Sequence, residues 1–326
     1  MPHWLYQNVL AIDDERAPQF ALQSTQNWIR ALRFEIDAEH GTDLVAQFSS
    51  CSRIFSARTQ ALSVAPPLAE VFEPLFGSLN YMLSAGTFAD QPQAPSWCQP
   101  TAVIAWYYAT YMASRAMFAA SGLQVGDKHA AAERSFVSNL RQVLPHPLNM
   151  VARRTTGEKY ESALPSYPGV ASFDLTKAFQ PVRAVSQGML LQYLTGTASY
   201  HTGRTKERIL ADNRLGFTDF RTQAARSLRD SRLAAEIGLM HCAYRYRGKA
   251  NYRDAIYLTY GSRPQDATQL LSDLAGAARF AFACALALVH RRLGAGVVGQ
   301  FARDLEQHLR DFGNAPPDLQ NLVRQL

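Results

Sequence analysis

Cysteine is scarce in this 326-residue sequence: Cys51, Cys98, Cys242 and Cys284 are the only four, and none forms a CxxC pair. That usage excludes a disulfide-dense scaffold and a cysteine-rich zinc ribbon, and it suits a reducing compartment with inert thiols. Lysine is scarcer still relative to its partner, since twenty-eight of the 33 basic residues are arginine. The opening stretch, MPHWLYQNVLAIDDERAP, has no basic segment ahead of an apolar run, so no signal peptide is expected. The longest apolar stretch, Ala275 to His290, contains Arg279 and falls short of the roughly 20 residues that span a bilayer. A cytoplasmic protein with no membrane partner is the expectation. P-loop, kinase and Ser-His-Asp signatures are all missing, and no repeat of solenoid period appears.

What is present begins with ordinary apolar content, 47%, enough for a core of normal size. The net charge is +6 and the pI near 9.2. Arginine forks match phosphate and carboxylate geometry better than lysine does, although a GC-rich genome also raises arginine. The pattern predicts a mainly α protein. Residues 1–98 read as an N-terminal helical segment. A helix is expected at Gln26–Glu39, and Pro66, Pro67 and Pro74 read as breaks after it. Further helices are expected at Thr101–Gly122, Lys128–Val143, Leu233–Tyr246, Pro264–Leu293 and Val297–Phe312. Residues 99–293 read as one up-and-down bundle interrupted by an insertion at 144–232, and 294–326 as a closing helix and tail. Arg153–Lys159 reads as a basic loop, and Arg204–Arg232 as the most basic stretch.

Two separated blocks carry a family resemblance. The first is WYYATYMASRAMFAASGLQVGDKHAAAERSFVSN, Trp106 to Asn139; the second is Arg245 to Leu293, opening RYRGKANYRDA. Tyr107, Tyr108, small residues at Ala109, Ala113 and Ala116, and the Lys128-His129 pair opening the next helix resemble the first half of a HEPN domain. Arg247, Ala250, Asn251 and Tyr252 resemble the Arg-x-x-Ala-Asp-Tyr signature between its third and fourth helices, with asparagine in place of aspartate. The resemblance implies a helical bundle, a homodimer whose Arg motifs share one cleft, and action on RNA in toxin or anti-phage systems. It also implies metal-independent RNA cleavage in members where an arginine and a histidine flank the scissile phosphate. No cofactor or metal is expected. The residue that would complete the motif is Tyr252, a poor base at neutral pH that can still orient a phosphate.

Candidate residues follow. Arg247 is placed to stabilise phosphate charge; Arg245, Lys249 and Asn251 are its phosphate-binding neighbours, and Lys128 with His129 either caps a helix or contacts phosphate. Arg204 and Arg208 are candidates for tracking an RNA backbone. True Arg-x4-His spacings occur at Arg141/His146 and Arg303/His308. Chance alone gives about 0.7 such pair in a chain of this composition, so the spacing decides little. Arg303 and His308 stand as a competing catalytic pair on a helix, with helix-surface pairing as the plain alternative. Gly294-Ala-Gly296-Val-Val-Gly299 matches GxGxxG but follows a helix and not a strand, so it reads as a helix-helix joint. Two readings stay open: a HEPN-like protein binding or cutting RNA, and a non-catalytic scaffold for a protein partner encoded nearby.

Overall fold

A computed structural model describes residue 4 and residues 16–91, 96–162, 178–251, 255–259, 264–312 and 316–326. Tyr252 lies outside the described residues. The chain is mainly α, with one small sheet.

The fold is built around α10 (Pro264–Leu293). From Phe280 to Val289 every residue is apolar and buried, as expected for a helix that runs through a core. By length and composition this helix could cross a membrane, yet its apolar window is 89% buried inside the protein. Around it pack α1 (Arg16–His40), α2 (Leu44–Arg58), α3 (Leu68–Ala89) and α4 (Cys98–Ala120). The described part of the N-terminal 98 residues therefore shares one core with the bundle helices. Alanine and glycine permit this closeness. A Cβ on Gly276 would lie 1.4 Å from the Arg33 guanidinium of α1. Pro74, read from sequence as a break, sits inside α3 without ending it. Packing of α3 against α4 and α10 outweighs the lost backbone hydrogen bond.

The short α5 (His129–Ser135) continues into a π-helical turn, Phe136–Leu140. Next comes a hairpin, β1 (Val151–Arg154) and β2 (Tyr160–Ser162), so the expected basic loop at 153–159 is largely a strand and its turn. Then α6 (Arg183–Leu210) packs along α1, and α7 (Gln223–Arg232) follows. The helix expected to start at Leu233 is displaced. Residues Glu236–Gly238 form β3, which pairs antiparallel with β1 by placing Ile237 opposite Ala152. Only then does α8 (Leu239–Asn251) begin. The chain closes with α9 (Ala255–Thr259), α11 (Ala295–Phe312) and α12 (Pro317–Gln325). Gly294, at φ +87°, makes the joint between α10 and α11, so the GxGxxG match is a helix connection.

Two devices fix α8. Trp28 of α1 stacks on Tyr193 of α6 at 4.3 Å and meets Trp106 of α4 and Tyr246 of α8 edge-on at 5.7 and 5.6 Å. One indole thus joins four helices, and each such ring pair is worth roughly 0.5–1.5 kcal/mol beyond its buried area. At the start of α8, the Gly238 backbone N–H donates to Nδ1 of His241 at 3.2 Å. A Cβ on Gly238 would lie 2.7 Å from Cγ2 of Val137 in the π-helical turn. This approach locks α8 against the segment that carries His129.

Candidate functional site

Tyr107, Tyr108 and Tyr111 fall at i, i+1 and i+4 on α4. On α8, Tyr244 and Arg247 fall at i and i+3, which puts them on one face. The packing of α4 against α8 brings the two sets together. The Arg247 guanidinium carbon stands 5.3 Å from the Tyr107 ring, 5.5 Å from Tyr108 and 5.6 Å from Tyr244. His129, the first residue of α5, borders the same rings. Its imidazole lies 5.7 Å from Tyr107, 6.3 Å from Tyr108, 5.5 Å from Tyr244 and 4.7 Å from Tyr111. Arginine and histidine thus share a nest of tyrosines although 118 positions separate them in sequence.

The turn before His129 is tied down from α4. Tyr111 donates its hydroxyl to the Asp127 carbonyl at 3.1 Å, and Arg115 donates to the Gly126 carbonyl at 3.1 Å and to the Asp127 carboxylate at 3.0 Å. The Lys128 side chain makes no cap to α5 and is exposed, so the capping role weighed for this pair is not what positions His129.

Electrostatics set the protonation states. Burial pushes the Tyr107 phenol far above its usual range, with Glu133 adding to the shift and Arg247 opposing it. Tyr107 therefore keeps its proton. Its oxygen lies 2.7 Å from His129 Nδ1, and the two groups share a hydrogen bond. Burial first, and then Arg247, hold the His129 pKa below the ordinary value. The ring is neutral at pH 7. Arg247 is half-buried and its Nε has no hydrogen-bond partner. Among the described residues no carboxylate pairs with it. A guanidinium left unneutralised beside neutral aromatic groups is ready for an anion.

The other candidates are scattered. Arg245, two residues before Arg247, turns to α6, where its Nη1 donates to Thr197 Oγ1 at 3.2 Å and its guanidinium lies over Tyr193 and Tyr200. Lys249 is half-buried, and Asn251 is exposed at the end of α8. Arg204 is spent on Glu207 at 2.7 Å, whereas Arg208 acts on Glu133 and His201. Arg303 and His308 are both exposed on α11, where the His308 ring meets Phe76 edge-on at 6.3 Å; five residues along a helix turn the side chains about 140° apart. Arg141 goes to Glu236 at 3.4 Å and His146 to Glu35 at 3.0 Å, so that spacing serves two different carboxylates.

Glu35, Glu39 and His146 offer ligand atoms within 4.8 Å of one another, a grouping able to hold a metal ion. Glu35 is fully buried and accepts from His146, from Ser186 and, at 3.2 Å, from Gln187, with Arg183 paired to both carboxylates. As it stands, the group is an arginine-neutralised clamp between α1 and α6. Sequence reasoning missed Tyr244, Tyr111 and Glu133 as neighbours of the nest; the Tyr244/Arg247 spacing was the available signal. No protein-family model, curated protein or solved structure matches this chain.

Proposed function

We propose that this protein binds single-stranded RNA at the tyrosine nest, with Arg247 receiving a backbone phosphate and the half-exposed rings of Tyr108 and Tyr244 stacking on flanking bases. The observation that carries the reading is the Arg247 guanidinium, without a carboxylate partner among the described residues, set beside neutral His129 among these rings. A phosphate seated there offsets the effect of Arg247 and raises the histidine's affinity for a proton. The Nε2–H then donates to a phosphate oxygen or to a leaving oxygen. Once protonated beside the phosphate, with Nδ1 bonded to Tyr107, His129 suits the part of donor and not of base. RNA binding is therefore the activity this geometry supports best, and strand cleavage needs a base from elsewhere.

The HEPN resemblance of the 106–139 and 245–293 blocks agrees with this reading. Arg247 and His129, two residues which that resemblance singled out, border the same tyrosine rings. In a HEPN-like homodimer a second nest would face the first across the twofold axis and could supply the missing base. The test is photocrosslinking with RNA carrying 4-thiouridine, followed by peptide mapping. Crosslinks within 98–120 and 239–251 support the reading. Crosslinks confined to other helices reject it. A protein that captures no RNA, yet loses only thermal stability on Arg247→Ala, uses the nest as packing and acts as a scaffold.

A further inference from the structure

A second group of polar side chains, on the other side of α8, is left incomplete by the fold. Thr197, His201 and Arg208 recur at i, i+4 and i+11 along one stripe of α6. His241 and Arg245 recur at i and i+4 on α8. The two stripes meet: His201 and His241 lie edge-on at 5.3 Å, and the Arg245 guanidinium crosses Gly196 to reach Thr197. From α5 come Glu133, 4% exposed, and Arg134.

Five polar groups here want partners. His201 Nε2, Arg245 Nε and Glu133 Oε1 are buried without a hydrogen bond. Among the described residues neither Arg134 nor Arg208 forms a hydrogen bond or an ion pair, although both face Glu133. Burial pushes the Glu133 carboxyl up to about 8, so at pH 7 it is neutral and carries a proton to donate. Three guanidinium groups and one neutral acid surround two neutral histidines. That field repels a metal cation and attracts an anion of more than one charge. Unmet donors outnumber unmet acceptors, which specifies a ligand rich in acceptor oxygens.

We propose that the junction of α5, α6 and α8 is a phosphoryl-binding site, with Arg134 and Arg208 at its mouth and His201 and Arg245 behind them. Apart from Glu133, which borders both, it uses different side chains from the Arg247 nest and stands or falls separately from it. The phosphoryl group belongs either to a free diphosphate, such as the tail of a nucleotide, or to an RNA backbone.

Calorimetric titration of the full chain with inorganic pyrophosphate tests the site. Saturable binding is expected, weakened about tenfold or more by Arg208→Gln and by Arg134→Gln, the loss of one charge-assisted contact each. Both residues are exposed, so the variants fold. Arg204→Gln, which removes an arginine already paired within α6, should leave the affinity within about twofold. An octamer of uridylate then separates the sources. If it displaces pyrophosphate, and Arg208→Gln weakens the octamer, the ligand is backbone phosphate; without displacement it is a free diphosphate. Absence of saturable binding, or equal affinity in the Arg208→Gln and Arg204→Gln variants, overturns the proposal.

Discussion

The Tyr107 hydroxyl and Nδ1 of His129 share a hydrogen bond of 2.7 Å, joining the middle of α4 to the first residue of α5. The bond engages Nδ1 and aims Nε2 away from the phenol. It also makes the charge state of His129 depend on its neighbours, because burial and the Arg247 charge both hold its pKa below the ordinary 6.5.

Removing Arg247 removes one of those two causes. In Arg247→Ala, NMR titration of the His129 ring should show a pKa above that of the wild type. An unchanged pKa would mean that the guanidinium does not act on the imidazole. In the wild type, RNA affinity should rise as pH falls toward the His129 pKa, since a bound phosphate favours the imidazolium.

The placement of α8 rests on Gly238. Its Cβ position lies 2.7 Å from Val137 Cγ2, so Gly238→Ala should destabilise the protein by about 1–3 kcal/mol through overcrowding. Val137→Ala in the same chain should recover part of that loss. Denaturant melts of the two single variants and the double variant measure this. Strict additivity would show that the two sites do not press on one another.

Much of this architecture was legible in the sequence, and the failures have physical causes. The helices α4 and α10 followed from small and apolar residues at helical spacing. The start of α8 was misplaced because Glu236–Gly238 is held as a strand by β1, some 85 residues earlier, a pairing no local window contains. Pro74 reads as a breaker locally and is overruled by packing on α4 and α10. In the site, Arg247 and His129 were both singled out, but their meeting depends on the tertiary packing of α4, α5 and α8. Arg141/His146 had the motif spacing and instead serve Glu236 and Glu35 on separate elements.

Glu133 gives the protein a pH signature. Its folded pKa, about 8, lies above the ordinary carboxyl value of 4.5 because burial disfavours the carboxylate. The unfolded chain therefore loses this proton first. Stability from this group is full below about pH 4.5 and falls as pH rises toward about 8. Glu133→Gln cannot ionise, so its melting temperature relative to the wild type should increase between about pH 5 and pH 8. A constant difference across that range would show that Glu133 is already charged in the native protein.

RNA affinity of Arg247 variants bears most directly on the role of the nest. Fluorescence anisotropy with a labelled single-stranded RNA should show that Arg247→Ala weakens binding by about tenfold or more, and that Arg247→Lys recovers only part, because an ammonium cannot form the two-pronged phosphate contact. Arg303→Ala should bind like the wild type, and melting temperatures should show that each variant is folded. Wild-type affinity in a folded Arg247→Ala protein, or loss of binding in Arg303→Ala instead, would contradict the assignment of RNA to the tyrosine nest.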